Sequence, residues 1–150
     1  MDQTNLNILR ILQEKARIPN VEVSRLINLA PSAVLERIRK MEKQGIIDGY
    51  EVRLNPKRFG CAQISFINVF LSPNSDWKTI GDTLAGLAQV QEVHFIAGDD
   101  CFLVKTRTAG TAELNELIHQ QINAIPGIRS TATKVVLATH KETAQIPIDK

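Results

Sequence analysis

The first third of the chain repeats apolar residues at helical spacing. Leu6, Ile8, Leu9, Ile11 and Leu12 recur near a 3.6-residue period and predict a helix that the Arg17-Ile18-Pro19-Asn20 break ends. Asp2, Thr4 or Asn5 can cap its start. From Asn20 to Leu29 a second helix places Val23, Leu26 and Ile27 on one face. A third begins at Pro31, turns Val34, Leu35, Ile38 and Met41 inward and closes at Gly45. Only Leu29-Ala30 separates the last two, which forces a sharp crossing: a helix-turn-helix.

Beyond Gly45 the pattern changes. Ile46, Ile47, Tyr50, Val52 and Leu54 suggest extended chain, and Asn55-Pro56 a turn. Residues 62–71, AQISFINVFL, are rich in β-branched and aromatic side chains and predict a strand that Ser72-Pro73-Asn74-Ser75 breaks. A helix follows from Asp76 to Ala88 with Trp77, Ile80, Leu84 and Leu87 at helical spacing, capped by Ser75 or Asp76. VQEVHFIAGDD and CFLVKTRT read as a hairpin turning through Ala97-Gly98-Asp99-Asp100. A last helix, Thr111 to Ile125, stops at Pro126-Gly127, and a strand occupies about Ile128 to Ala138.

This order is βαββαβ, which folds into a four-stranded antiparallel sheet with both helices on one face. The first strand is apolar in both parities (Ile64, Phe66, Val69, Leu71), so the face without helices also needs cover, most simply a second copy of the chain. The expected fold class is α+β. A winged-type helix-turn-helix three-helix unit spans 1–50, a hinge strand or linker 51–60, and a ferredoxin-like βαββαβ domain with an oligomerisation face 61–150.

Composition changes this picture little. With 43% hydrophobic and 23% charged residues in 150, the chain is an ordinary globular protein. No apolar run nears the roughly 18–20 residues that span a bilayer, and MDQTNLNILR lacks a signal-peptide layout, so a cytoplasmic protein without a membrane partner is expected. Cys61 and Cys101 form no CxxC pair, and His94, His119 and His140 are scattered, so no metal and no cofactor are expected. No Ser/His/Asp grouping, Walker loop or dinucleotide fingerprint signals an enzyme.

Charge is more informative by position. The net charge is +2, and the surplus lies within residues 1–50, which carry eight Lys/Arg against six Asp/Glu. On the third helix the residues left over after the apolar face are Ser32, Ala33, Glu36, Arg37, Arg39, Lys40 and Lys43. Such a face can enter the major groove of double-stranded DNA, its N-terminal half at the bases and its Lys/Arg at phosphates. A solvated surface, or a helical protein-interaction module, would carry the same residue types. Ala30 is a weak cap, and Glu36 is unhelpful towards DNA unless it accepts from a cytosine amino group.

The chain resembles the Lrp/AsnC (feast/famine) regulators over nearly its whole length. The resemblance rests on MDQTNLNIL, ARIPNVEVSRLINLAPSAVLERIRKMEKQGIIDGY, LNPKRFG, GDDCFLV and IPGIRSTATKVVL, in order and at the family's spacings. Asn5 and Leu6 stand where the family commonly has Asp and Arg, Ala30 where it has a capping Ser, and Glu36 where it is often basic, whereas Arg37 keeps its arginine.

The resemblance implies a DNA-binding transcriptional regulator that forms homodimers and higher oligomers such as octamers and is modulated by a small effector such as an amino acid. It implies an effector site between dimers near the hairpin glycine, pointing to Gly98, Asp99, Asp100 and Cys101 with Thr131 and Thr133 as partners. Backbone N–H groups beside Gly98 can bind an α-carboxylate, and Asp99 or Asp100 an α-ammonium. The same residues also suit a plain hairpin turn, and Cys101 stands where the family often has a second Asp. The rival reading is a ligand-binding βαββαβ protein that carries a helical interaction module and does not bind DNA.

Overall fold

The computed structural model describes residues 1–148. The chain divides into two compact units, Met1–Arg53 together with the tail from Glu142, and Leu54–Lys141. The tail, expected to belong with the sheet, therefore belongs to the helical unit, and its hydrogen bonds to the first helix are the reason.

In the helical unit α1 spans Gln3–Glu14, α2 Asn20–Ile27 and α3 Pro31–Lys43. Their core is Ile8 and Leu12 from α1, Val23 from α2, and Val34, Ile38 and Met41 from α3. Each such side chain contributes about 1.5–3 kcal/mol by leaving water. Leu26, expected inside, is 67% exposed, and Ser24 is buried instead. At roughly 100° per residue the inward face of α2 centres on Val23, Ser24 and Ile27, which leaves Leu26 about a quarter turn away. Asn28 adopts a left-handed conformation after α2, letting the Leu29 N–H reach the Ser24 carbonyl and turning the chain into α3.

The segment expected as a hinge strand, 51–60, joins no ladder within the described residues. Asn55 instead accepts from the Lys57 N–H and opens a 3-10 turn, Pro56–Phe59. Val52, Leu54 and Phe59 are exposed.

The second unit contains β1 (Gln63–Leu71), α4 (Trp77–Ala85), β2 (Val90–Ile96), β3 (Cys101–Thr108), α5 (Thr111–Glu116) and β4 (Ile128–Val135). The α5 turns continue as a π-turn, Leu117–Ile122, where an uninterrupted helix was expected. All pairings are antiparallel, in the order β2-β3-β1-β4. Ile67 and Val69 of β1 and Phe102 and Val104 of β3 face the helices, packing on Ile80, Leu84, Leu114, Leu117 and Ile122. The alternate positions Ile64, Phe66, Asn68 and Phe70, with Leu103 and Lys105, form the face without helices.

Gly127 sits where the turn before β4 passes α4. Its φ is +92°, its carbonyl accepts from Ser72 N–H at 2.8 Å, and an added Cβ would lie 2.9 Å from Ile80 Cδ1. Only glycine fits both constraints.

Candidate functional site

The face of α3 is set by its register. With Val34, Ile38 and Met41 buried, Ser32, Glu36, Arg39 and Lys43 lie along one exposed stripe at helical spacing, with Lys40 exposed beside it. Ala33 is half-buried. Ala30 provides no side-chain cap, so the positive end of the helix keeps its first amide groups for an outside acceptor. Lys40 and Lys43 lie in the last turn, where they complement the opposite end of the dipole.

Arg37, expected on the outward face with these residues, is turned towards α1. Its Nη1 donates to Asp2 Oδ2 at 2.6 Å and to Asn5 Oδ1 at 2.8 Å. The other Asp2 oxygen caps α1 by accepting from the Asn5 N–H at 2.8 Å. The hydrogen bond from Arg37, followed by that from the Asn5 amide, holds the Asp2 carboxyl below its ordinary value. Asp2 and Asn5 thus act as positioning groups that fix α3 against α1. The sequence offers Asp2 as a cap but carries no sign of a partner more than thirty positions away.

The hairpin between β2 and β3 turns through four residues, with Gly98 at φ +105° and Asp100 at φ 45°. Glycine suits the first of these because the backbone there is left-handed. Asp99 and Asp100 line an open cleft of about 380 Å³ with Trp77, Phe95 and Arg129 among its walls. Trp77 stacks on Phe95 (centroids 5.0 Å, interplanar 15°), and Phe95 in turn meets the buried Phe102 at 5.1 Å. Lys78 Nζ lies 5.6 Å from the Trp77 ring centroid. The cleft therefore combines two carboxylates, one guanidinium and an aromatic wall.

The other expected effector residues lie elsewhere in the chain. Cys101, the first residue of β3, is fully buried on the sheet face opposite α4 and α5, its Sγ accepting from Asn68 Nδ2 at 3.5 Å. Thr131 and Thr133 pair with Val69 and Ile67 on β4, the edge opposite β2. β4 is two strand spacings from β3, roughly 10 Å. Arg129, near the start of β4, lines the cleft with Asp99 and Asp100, whereas Thr131 and Thr133, farther along the same strand, do not. Trp77, Phe95 and Arg129 were not singled out for the site. Trp77 reads in the sequence as one more apolar position of a helix, and nothing along the chain brings it to the hairpin.

Residues 1–48 match the description "Winged helix-turn-helix DNA-binding", and residues 64–146 match "Lrp/AsnC ligand binding domain". Two matched regions of this kind define a helix-turn-helix transcriptional regulator with an attached ligand-binding domain. The chain is 34% identical to the HTH-type transcriptional regulator FL11 of Pyrococcus horikoshii over 148 residues, covering 99% of this chain and 97% of that protein. It is 32% identical to the leucine-responsive regulatory protein of Klebsiella pneumoniae over 150 residues, covering 99% and 92%. AsnC of E. coli superposes with a TM-score of 0.89 at 26% identity over 98% of this chain and 99% of that one. A feast or famine regulatory protein from M. tuberculosis, complexed with L-methionine, superposes with a TM-score of 0.88 at 25% identity and 97% coverage of both chains. The chain belongs to the Lrp/AsnC family of transcriptional regulators.

Proposed function

We propose that the chain reads double-stranded DNA through the exposed stripe of α3, assembles through the open face of its sheet, and responds to an amino acid held at the hairpin cleft. The observation that carries the DNA assignment is the outward register of Ser32, Glu36, Arg39 and Lys43 on a helix entered by a tight turn. Ser32 and Glu36, near its N-terminal end, suit base edges, and Arg39, Lys40 and Lys43 suit phosphates. Arg37 acts behind this surface, setting α3 against α1.

Dimerisation is supported by the apolar, half-buried Phe66, Phe70 and Leu103 on the sheet face opposite α4 and α5. A dimer pairs two reading heads for two half-sites, and higher assembly such as an octamer is what the family resemblance implies. The effector assignment rests on opposite charges in one cleft: Arg129 suits an α-carboxylate, Asp99 or Asp100 an α-ammonium, and the Trp77–Phe95 wall an apolar side chain. That a relative is complexed with L-methionine agrees with this chemistry.

A gel shift of the DNA upstream of the chain's own gene, against random duplex at moderate salt, tests the DNA reading. Preferential, salt-sensitive binding is expected. Equal binding of both duplexes by a folded sample contradicts it. A thermal-shift screen of the twenty amino acids tests the cleft, because a ligand at about 100 times its Kd stabilises the native state by about 2.7 kcal/mol.

A further inference from the structure

The C-terminal tail makes a set of contacts that neither DNA reading nor effector binding uses. The Gln13 carboxamide engages both backbone groups of Ile146: Oε1 accepts from its N–H at 2.9 Å, and Nε2 donates to its carbonyl at 3.2 Å. Gln145 Nε2 donates to the Gln13 backbone carbonyl at 2.9 Å. The tail is itself shaped for this, since the Gln145 N–H is held by Thr143 Oγ1 at 3.1 Å.

These bonds meet a need of α1. Gln13 lies in its last turn, where carbonyls have no partner within the helix, and no basic residue sits there to offset them. Gln145 supplies a donor to one such carbonyl. The tail thus works as a C-cap delivered from more than 130 positions away.

Chain connectivity gives the contact its consequence. The helical unit is joined to the sheet unit after Arg53 and again after Lys141, because the tail from Glu142 belongs with the helices. We propose that this tail is a strap that closes the end of α1 and gives the reading head a second tether to the sheet unit. A head held at two points has less orientational freedom to lose on DNA, so the strap strengthens binding without contacting a phosphate.

The test uses the full-length protein, the variant Gln13→Ala and a chain ending at Lys141. Hydrogen exchange reads docking without DNA: protection of the Ile146 amide is expected to fall about tenfold in Gln13→Ala. Unchanged protection overturns the strap. Gln13→Cys with Ile146→Cys, in a Cys61→Ser background, is expected to cross-link within one chain on mild oxidation. No cross-link, or one between two chains, overturns the proposal.

The consequence for binding rests on the DNA reading proposed above. With a duplex selected from a random library by the full-length protein, the truncated chain is expected to bind about fivefold more weakly at an unchanged salt slope. Equal affinity overturns the tether, and so does a reduced slope, which would make the tail a phosphate contact. If the full-length protein selects no duplex, the DNA reading fails, while exchange and cross-linking still decide whether the tail docks.

Discussion

Arg37 and Asp2 form a 2.6 Å ion pair that ties the recognition helix to the cap of the first helix. The pair is partly open to water, so screening keeps its contribution modest. Its role is geometric: the carboxylate that caps α1 also fixes where α3 presents its outward stripe.

The pair sets an acid limit on the head. Asp2 has its carboxyl lowered below the ordinary value near 3.8. Its contribution is therefore fully present above that value and is lost as pH falls through the lower, folded one. Asp2→Asn is expected to remove this part of the acid transition while leaving neutral-pH folding intact. Circular dichroism against pH checks it, and an identical acid limb in both proteins would count against the pairing.

Tyr50 offers an alkaline counterpart. Its hydroxyl donates to Glu42 Oε1 at 2.9 Å, and desolvation followed by that carboxylate pushes its pKa up to about 12. The folded state keeps the proton longer than the unfolded chain does. The stabilisation is thus present below pH 10 and is lost as pH rises towards about 12. As the chain has one tyrosine, ultraviolet titration reads it directly, and Glu42→Gln is expected to bring the midpoint down. A midpoint near 10 in the unaltered protein would remove the contact.

Gly127→Ala is expected to destabilise the sheet unit by about 1–3 kcal/mol, combining left-handed strain with the crowding of Ile80 and Ser75. Urea unfolding followed by circular dichroism measures it. A change under about 0.5 kcal/mol, the usual surface value, would show that the turn yields easily.

These positions show what one sequence can and cannot reveal. The stripe of α3 was legible because Val34, Ile38 and Met41 fix its phase, and the strand order was legible because Gly98 and Pro126-Gly127 punctuate it. Leu26 misled because two apolar residues a quarter turn apart are indistinguishable until the neighbouring helices are placed. The partner of Arg37 and the docking of the tail depend on contacts between distant segments, which local periodicity does not record, whereas Cys101 is buried as its residue type suggests.

The cleft has a built-in reporter. Trp77 is the one tryptophan, and it stacks against Phe95 at the wall shared with Asp99 and Arg129. An amino acid such as L-methionine is expected to change its emission saturably, with the change abolished by Arg129→Ala and by Asp99→Asn. A response that survives both substitutions would place the ligand elsewhere.

The central claim, that the outward stripe of α3 reads DNA, is tested most directly by the salt dependence of binding for the unaltered protein and for Arg39→Ala and Lys43→Ala. Fluorescence anisotropy on the selected duplex is the measurement. Each substitution is expected to weaken binding and to lower the slope of log K against log salt by about 1 for every phosphate contact removed. Unchanged affinity and slope in both variants, with the proteins folded, would contradict the account.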